Sequence, residues 1–153
     1  MKDLIEKYGL APHPEGGYFK EVYRSAQTID APLVSAPRNT ITQIYFLLTK
    51  GQISRFHRVV HDEIWHFYEG HPLALIQYDE TQIKKELIGP ECRDYTAIVP
   101  GNTWQAAETT GEYSLVGCTV APGFDFTDFS FLSHTPLSLD KFKAQKTGYD
   151  RFL

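Results

Sequence analysis

The chain has 153 residues, a length typical of one domain, and its 42% hydrophobic and 22% charged residues exclude the disordered and fibrous classes. The net charge is −4 and the basic residues are scattered, so no nucleic-acid partner is expected. Charges within the first ten residues exclude a signal-peptide core, and no apolar run reaches the length of a membrane span. We therefore expect a cytoplasmic protein that does not bind a membrane.

The sequence predicts a short helix at each end and strands between them. Leu4 and Tyr8 share a helical face before Gly9, which predicts a helix over 1–8. A second helix is expected to begin near Ser138 and to include Phe142. Runs of β-branched and aromatic residues between Gly, Pro or Asp turns predict ten strands. They are Tyr18–Arg24, Thr40–Leu48, Ile53–Val59, Ile64–Tyr68, Leu73–Tyr78, Gln82–Leu87, Thr96–Val99, Trp104–Ala107, Tyr113–Val120 and Phe129–Leu132.

Short strands at this spacing favour a single all-β domain over residues 1–153, a jelly roll or a related barrel. The sequence has no linker, low-complexity tract or internal repeat. Barrels of this kind hold ligands in their lumen, so inward-facing strand positions are the candidates for function. The cysteines, Cys92 and Cys118, have no spacing that indicates a disulfide or zinc framework.

The stretch 51–70 contains three histidines and a glutamate between two glycines. Strand alternation would place Arg55 and His57 on one face, and Glu63, Trp65 and Phe67 on one face of the next strand. If the two strands form an antiparallel hairpin, His57 and Glu63 meet across it. A carboxylate beside an imidazole orients the ring and raises its pKa, which prepares it as a general base. We predict that the two residues form a catalytic pair; the alternative is a purely structural ion pair.

The same stretch resembles the first cupin motif, because Gly51, five residues, His57, then Glu63, six residues and Gly70 reproduce its spacing. The second cupin motif is weaker here, since only its proline is kept, at Pro100. Four longer segments together resemble the cupin-5 branch, over residues 4–132. These segments are HPEGGYFKEVYRS, FHRVVHDEIWHFYEG, VPGNTWQAA and LVGCTVAPGFDFTDF. The resemblance implies an RmlC-like cupin jelly-roll barrel with short terminal helices, and a C-terminal extension over 133–153, but no established reaction.

The metal-binding members of the family that the chain resembles hold their metal with three histidines and one glutamate. At the matching positions this chain has His57 and Glu63, but Val59 and Gln105 replace the other two histidines. A hydrocarbon cannot coordinate a metal, and an amide oxygen is a poor ligand for zinc or iron. We therefore expect no cofactor, and we keep as an alternative a metal held by His57, Glu63 and His61.

The first predicted strand resembles the RmlC-type sugar-nucleotide epimerases, whose Gly-aromatic-Phe-x-Glu pattern recurs at 17–21. In those enzymes the Phe and Glu positions contact the nucleotide, so the resemblance makes Phe19 and Glu21 candidates for substrate binding. Aromatic rings in the lumen would stack on a base, and an arginine would bind phosphate. The further candidates for substrate contact are Arg24, Arg55, Trp65, Phe67 and Gln105. Core packing is the alternative for Trp65 and Phe67.

The sequence therefore predicts a cupin that binds a small anionic ligand, a nucleotide or sugar nucleotide, and that acts as an isomerase or epimerase through His57 and Glu63. A metal-dependent enzyme of dioxygenase or isomerase type and a non-catalytic ligand sensor remain alternatives. We interpret His13 as a loop residue and His66 as structural or interfacial. The aromatic segment 121–129 is expected to form a turn whose rings plug one end of the barrel. The resemblance also implies a homodimer.

Overall fold

The computed structural model describes residues 2–153 and consists mainly of antiparallel strands, which confirms the predicted all-β jelly-roll fold. The helices are α1 (Lys2–Tyr8) and α2 (Pro136–Ala144), with 3-10 helices at Phe126–Asp128, Leu132–His134 and Asp150–Phe152. The strands are β1 (Ala11–Pro12), β2 (Tyr18–Arg24), β3 (Thr28–Ala31), β4 (Ala36–Asn39), β5 (Thr42–Thr49), β6 (Ile53–Val59), β7 (Asp62–Gly70), β8 (Leu73–Tyr78), β9 (Ile83–Ile88), β10 (Thr96–Val99), β11 (Trp104–Thr109), β12 (Tyr113–Ala121) and β13 (Phe129–Phe131).

The predicted elements recur with small shifts at their ends, and both terminal helices form. Position 1 of the first predicted helix lies outside the described residues. Three strands were not predicted, namely β1, β3 and β4, which are four residues long or shorter and carry little apolar alternation. Neither α1 nor α2 has the length and apolar character that a membrane crossing would require.

The strands form two main sheets and a separate hairpin. One sheet has the order β1-β2-β5-β12-β7-β10, the other has the order β13-β6-β11-β8-β9, and β3 pairs with β4 alone. Because β6 pairs with β11 and β13 while β7 pairs with β12 and β10, these consecutive strands belong to different sheets. The predicted β6–β7 hairpin is therefore wrong: residues 60–61 carry the chain from one sheet to the other.

Apolar side chains fill part of the space between the two sheets. Phe46, Trp65, Phe67 and Leu75 belong to this core, and the rings of Phe46 and Trp65 meet edge to face with centroids 5.8 Å apart. Burying such side chains stabilises each by about 1.5–3 kcal/mol relative to exposure. The remaining space between the sheets holds polar side chains and forms the cavity described below.

The C-terminal residues pack on the outer face of the five-stranded sheet. Phe142 of α2 and Phe152 join a buried cluster with Phe56, Tyr78 and Trp104. Because side chains alternate along a strand, this sheet has buried residues on both faces. Phe56 and Trp104 point outward to the C-terminal residues, while the neighbouring His57 and Gln105 point into the space between the sheets. The segment 133–153 thus completes the packing of the sheet that carries His57.

Candidate functional site

A cavity of about 270 Å³ lies between the two sheets. Its walls come from a loop before β2, from β2, β5, β6, β7 and β12, and from the loop 121–129, which we call the mouth loop. The lining residues are His13, Glu15, Phe19, Glu21, Arg24, Thr42, Ile44, His57, Val59, Glu63, Cys118, Val120, Phe124, Asp125, Phe126 and Phe129. The cavity combines an aromatic wall with several carboxyl groups.

His57 is held on both ring nitrogens. Its Nδ1 lies 2.7 Å from the carbonyl oxygen of Arg55, and because a carbonyl can only accept, Nδ1 carries a proton. Its Nε2 lies 3.1 Å from Glu15 Oε2, and the ring stacks on Phe129 at 5.3 Å between centroids. Burial lowers the pKa of His57, while the negative charge of Glu63 raises it. The protein therefore fixes both the tautomer and the orientation of this ring.

Glu15 is the direct acidic neighbour of His57, a position that the sequence pattern predicts for Glu63. Ser54 Oγ donates to Glu15 Oε1 at 2.8 Å, and His13 Nδ1 lies 3.4 Å from Oε2. The backbone N–H of Glu15 also donates to His13 Nδ1, which leaves that nitrogen without a proton of its own. Burial raises the pKa of Glu15 and lowers the pKa of His13.

Gly16, the first of two glycines after Glu15, lets the loop approach β6 and brings Glu15 into the cavity. Gly16 has φ +113°, and a Cβ there would lie 2.1 Å from the carbonyl oxygen of Ile53. Only glycine allows the loop to approach β6 so closely. Strand periodicity does not predict the role of Glu15, because the residue lies in a loop, where that pattern gives no information. An acid followed by two glycines just before a strand is the signal that could have found it.

Glu63 reaches the cavity from the opposite sheet. Gln105 Nε2 donates to Glu63 Oε2 at 2.5 Å, and Cys118 lines the cavity together with Glu63. The Trp65 indole N–H can only donate, so its 2.8 Å contact with Gln105 Oε1 fixes which end of the amide faces Glu63. Burial raises the pKa of Glu63. The surrounding groups thus present Glu63 as a hydrogen-bond acceptor.

At the mouth, Arg24 is already bound on most of its N–H groups. Its Nε and Nη2 donate to the two oxygens of Glu21 at 3.0 and 2.7 Å, and its Nη1 donates to Asn39 and to the Phe124 carbonyl. The latter contact ties β2 to the mouth loop. Within that loop, the rings of Phe124, Phe126 and Phe129 pack edge to face. These rings line the mouth of the cavity.

The structure brings together one part of the predicted site. Phe19, Glu21, Arg24, His57 and Glu63 all line the cavity. The other four candidates, Arg55, Trp65, Phe67 and Gln105, do not line it. His13, interpreted as a loop residue, is in a loop and also lines the cavity.

The four residues outside the lining are displaced for physical reasons. β6 contains a bulge opposite β11, so Arg55 no longer shares a face with His57. The Arg55 guanidinium group lies over the Phe131 ring and donates to the Pro14 carbonyl. Trp65 and Phe67 share the inward face with Glu63 but lie in the filled part of the core. Gln105 is fully buried behind Glu63 and acts on the carboxylate.

The side chains do not fit the metal site of metal-binding cupins. Val59 lines the cavity without a donor atom, and Gln105 turns its amide nitrogen toward Glu63, so its oxygen is not free to coordinate. His61 is not part of the lining, and its Nδ1 lies 3.9 Å from Asp128 Oδ2. The proposed set of His57, Glu63 and His61 is therefore not assembled. Over residues 2–153, no three His, Cys, Asp or Glu side chains are arranged to hold a metal ion.

The two sheets and the polar cavity between them define a jelly-roll protein with an internal cavity. The chain belongs to the cupin superfamily, since the family profile described as "Cupin superfamily (DUF985)" matches residues 2–132. The uncharacterised protein YML079W of Saccharomyces cerevisiae is 31% identical over 150 residues, which cover 86% of this chain and 75% of the yeast protein.

Two solved structures resemble the chain over most of its length. A hypothetical protein from Leishmania major superposes with a TM-score of 0.78 at 34% identity, covering 84% of this chain and 85% of the other. Protein SO0799 from Shewanella oneidensis superposes with a TM-score of 0.77 at 31% identity, covering 89% and 90%. The names of these relatives assign no activity.

Proposed function

We propose that this protein binds a small molecule in the cavity and catalyses proton transfer on it, as an isomerase or epimerase does. The observation that carries the proposal is the setting of His57, whose ring is fixed between the Arg55 carbonyl and the Glu15 carboxyl group in the cavity wall. Buried titratable groups that converge on a cavity are typical of acid–base sites.

The two sheets supply complementary acid and base groups. His57 and Glu15 share one proton between Nε2 and Oε2, so the pair can donate a proton to a bound molecule. Glu63 accepts a hydrogen bond from Gln105 on Oε2, which leaves lone pairs to receive a proton. In this proposal Glu63 removes a proton from a carbon next to a carbonyl group of the ligand, and the electron pair moves onto the carbonyl oxygen to give an enolate. The electron pair then returns to the carbon, which takes a proton from the His57–Glu15 pair.

The ligand we propose is a nucleotide or sugar nucleotide of which one ring enters the cavity. A 150 Å³ cavity holds benzene, so about 270 Å³ accommodates a base or a hexose but not a whole sugar nucleotide. Phe19 and the rings of the mouth loop offer faces for stacking. Charged phosphates would remain at the mouth, beside Arg24.

Two measurements test the proposal on the full chain. A thermal-shift panel of sugars, nucleotides and sugar nucleotides should contain at least one stabilising compound, with a gain of about 2.7 kcal/mol at 100 times its Kd. In D₂O, that compound should acquire deuterium on carbon, and His57→Gln should slow the incorporation at least tenfold. Glu112→Gln, which changes an exposed carboxylate paired with Lys50, is the matched control and should leave the rate unchanged.

Two results would contradict the proposal. If no compound stabilises the protein, the cavity is not a site for these ligands. If a compound binds but its carbon-bound hydrogens do not exchange, and His57→Gln changes stability without changing affinity, the protein is a non-catalytic binder and His57 is structural.

A further inference from the structure

The protonation states of the cavity follow from its hydrogen bonds. His13 is neutral at Nδ1, because that nitrogen accepts the backbone N–H of Glu15. Glu15 Oε2 faces His57 Nε2 at 3.1 Å, and two lone pairs at this distance require one shared proton. Whichever atom holds that proton, the pair is neutral in total: either both groups are uncharged, or a cation faces an anion.

When Glu63 is ionised, it adds one negative charge that no group in the lining of the deep cavity neutralises. Its carboxyl group accepts a hydrogen bond from the Gln105 amide, which is a neutral donor. Among the lining residues that the structure describes, Arg24 is the one permanent cation, and two of its nitrogens donate to Glu21. Arg55 lies outside the lining and donates to the Pro14 carbonyl, but its charge acts on Glu15 and His57. Arg24 also lies on the exposed rim, whereas Glu63 is 6% exposed. With Glu63 ionised, the deep part of the cavity, formed by Glu15, His57 and Glu63, carries a net charge of −1.

We propose that the deep part of the cavity binds a protonated amine on the ligand, with Glu63 as its counter-ion. The inference deepens the proposed function by naming the chemical group that enters the site, and it depends on that function only in taking the cavity as the binding site. A second anion there would repel Glu63 in a poorly screened interior, whereas an ammonium group would neutralise it.

The walls of the cavity favour an organic cation. Phe19, Phe124, Phe126 and Phe129 offer aromatic faces, which attract ammonium groups through the ring quadrupole. Phenylalanine side chains provide no oxygen or nitrogen ligand for a metal ion. Burial raises the pKa of Glu63, and a neighbouring ammonium group would lower it again.

Three probes with the same ring and a positive, neutral or negative substituent test the proposal: benzylamine, benzyl alcohol and benzoate, each with one ring of a size that the cavity admits. We expect titration calorimetry on the full chain to give benzylamine a Kd at least tenfold lower than that of either other probe. Glu63→Gln should reduce this ratio to nearly one, because it removes the uncompensated charge.

Glu15→Gln tests whether the preference depends on Glu63 in particular or on any carboxyl group of the cavity. It removes a carboxyl group from the same cavity, but His57 then becomes neutral and Glu63 keeps its charge, so the preference for benzylamine should persist. A ratio that falls equally in both variants would indicate general damage to the cavity and would overturn the inference. The exposed Glu112→Gln substitution should also preserve the ratio.

Other outcomes would also overturn the inference. The first is that benzoate or benzyl alcohol binds as tightly as benzylamine. The second is that no probe binds at about 10 mM, a concentration tenfold above a millimolar Kd. The third is that a divalent metal salt stabilises the protein and that Glu63→Gln abolishes this stabilisation. The result is separable from the proposed reaction. If the protein prefers benzylamine but incorporates no deuterium into a bound ligand, only the proton-transfer proposal is removed. If it incorporates deuterium into a neutral ring compound but does not prefer benzylamine, only this inference is removed.

Discussion

At the scale of single residues, the position of Glu15 depends on the glycine that follows it. The positive φ of Gly16 and its close approach to Ile53 bring the preceding carboxyl group against Ser54 and His57. A side chain at position 16 would have to displace backbone rather than a flexible group. The loop geometry and the acid–base pair are thus determined together.

Gly16→Ala should therefore destabilise the protein strongly. We expect a loss of about 2 kcal/mol or more in the free energy of unfolding, from the clash with Ile53 and the strained φ, measured by urea denaturation. Gly51→Ala is the matched control, since Gly51 has φ +81° with no atom within 4 Å of a built Cβ, and should cost only about 1–2 kcal/mol. Equal losses would mean that the approach to Ile53 is not what holds the loop.

Strand alternation and motif spacing locate some site residues and cannot locate others. Alternation with a period of two predicts that His57 and Glu63 point inward, and the family resemblance makes Phe19 and Glu21 candidates. All four line the cavity. Arg55 departs from this pattern because one bulge in β6 reverses the alternation. Glu15 and His13 lie in a loop, where the backbone path depends on tertiary contacts that a sequence pattern does not encode.

At the scale of elements, the change of sheet between β6 and β7 is the feature that alternation could not reveal. Composition predicts both strands, and β6 with the bounds that the structure has. Local pattern does not state which strand pairs with which, so a hairpin and a crossing between sheets look alike in sequence. In the hairpin His57 and Glu63 would touch, whereas in the structure they lie on different sheets and both line the cavity.

The C-terminal helix provides a second element-scale test. The Phe142 ring lies 5.1 Å from that of Phe56 and 5.2 Å from that of Tyr78, and the residue is 1% exposed. Phe142→Ala should cost about 3–5 kcal/mol in denaturant unfolding, because it leaves a cavity against β6 and β8.

Leu137→Ala in the same helix is the control for that substitution. Leu137 is 80% exposed, so its truncation should change the stability by no more than about 0.5 kcal/mol. Ligand affinity should be unchanged in the folded Phe142→Ala protein, since this packing is on the outer face of the sheet. A small cost for Phe142→Ala would show that segment 133–153 contributes little to the fold.

At the scale of the whole molecule, two sheets with separate hydrogen-bond networks enclose one set of coupled titratable groups. The homodimer implied by the family resemblance stays a prediction, as do the cytoplasmic location and the absence of a cofactor. The pH dependence of stability is a property of the fold as a whole, because folding buries His13, Glu15, His57 and Glu63 together.

The signs of the pH effects follow from the direction of each pKa shift. Burial raises the pKa of Glu63, so above the ordinary value of 4.5 the unfolded chain releases a proton that the folded chain retains, and stability falls as the pH rises. Burial lowers the pKa of His57, so below the ordinary value of 6.5 the unfolded chain binds a proton that the folded chain excludes, and stability falls as the pH drops. The two groups oppose each other between these values.

Denaturation curves collected from pH 4 to pH 8 on three variants should separate the two groups. Relative to the unmodified protein, Glu63→Gln should gain stability as the pH rises above about 4.5, and His57→Gln should gain stability as the pH falls below about 6.5. Glu112→Gln should show little change with pH above about 4.5, because the hydrogen bond with Lys50 lowers the pKa of Glu112 and its contribution is lost only as the pH falls below that value. If Glu63→Gln instead lost stability with rising pH, Glu63 would be a stabilised anion in the folded protein, and burial would not be the dominant influence on the cavity.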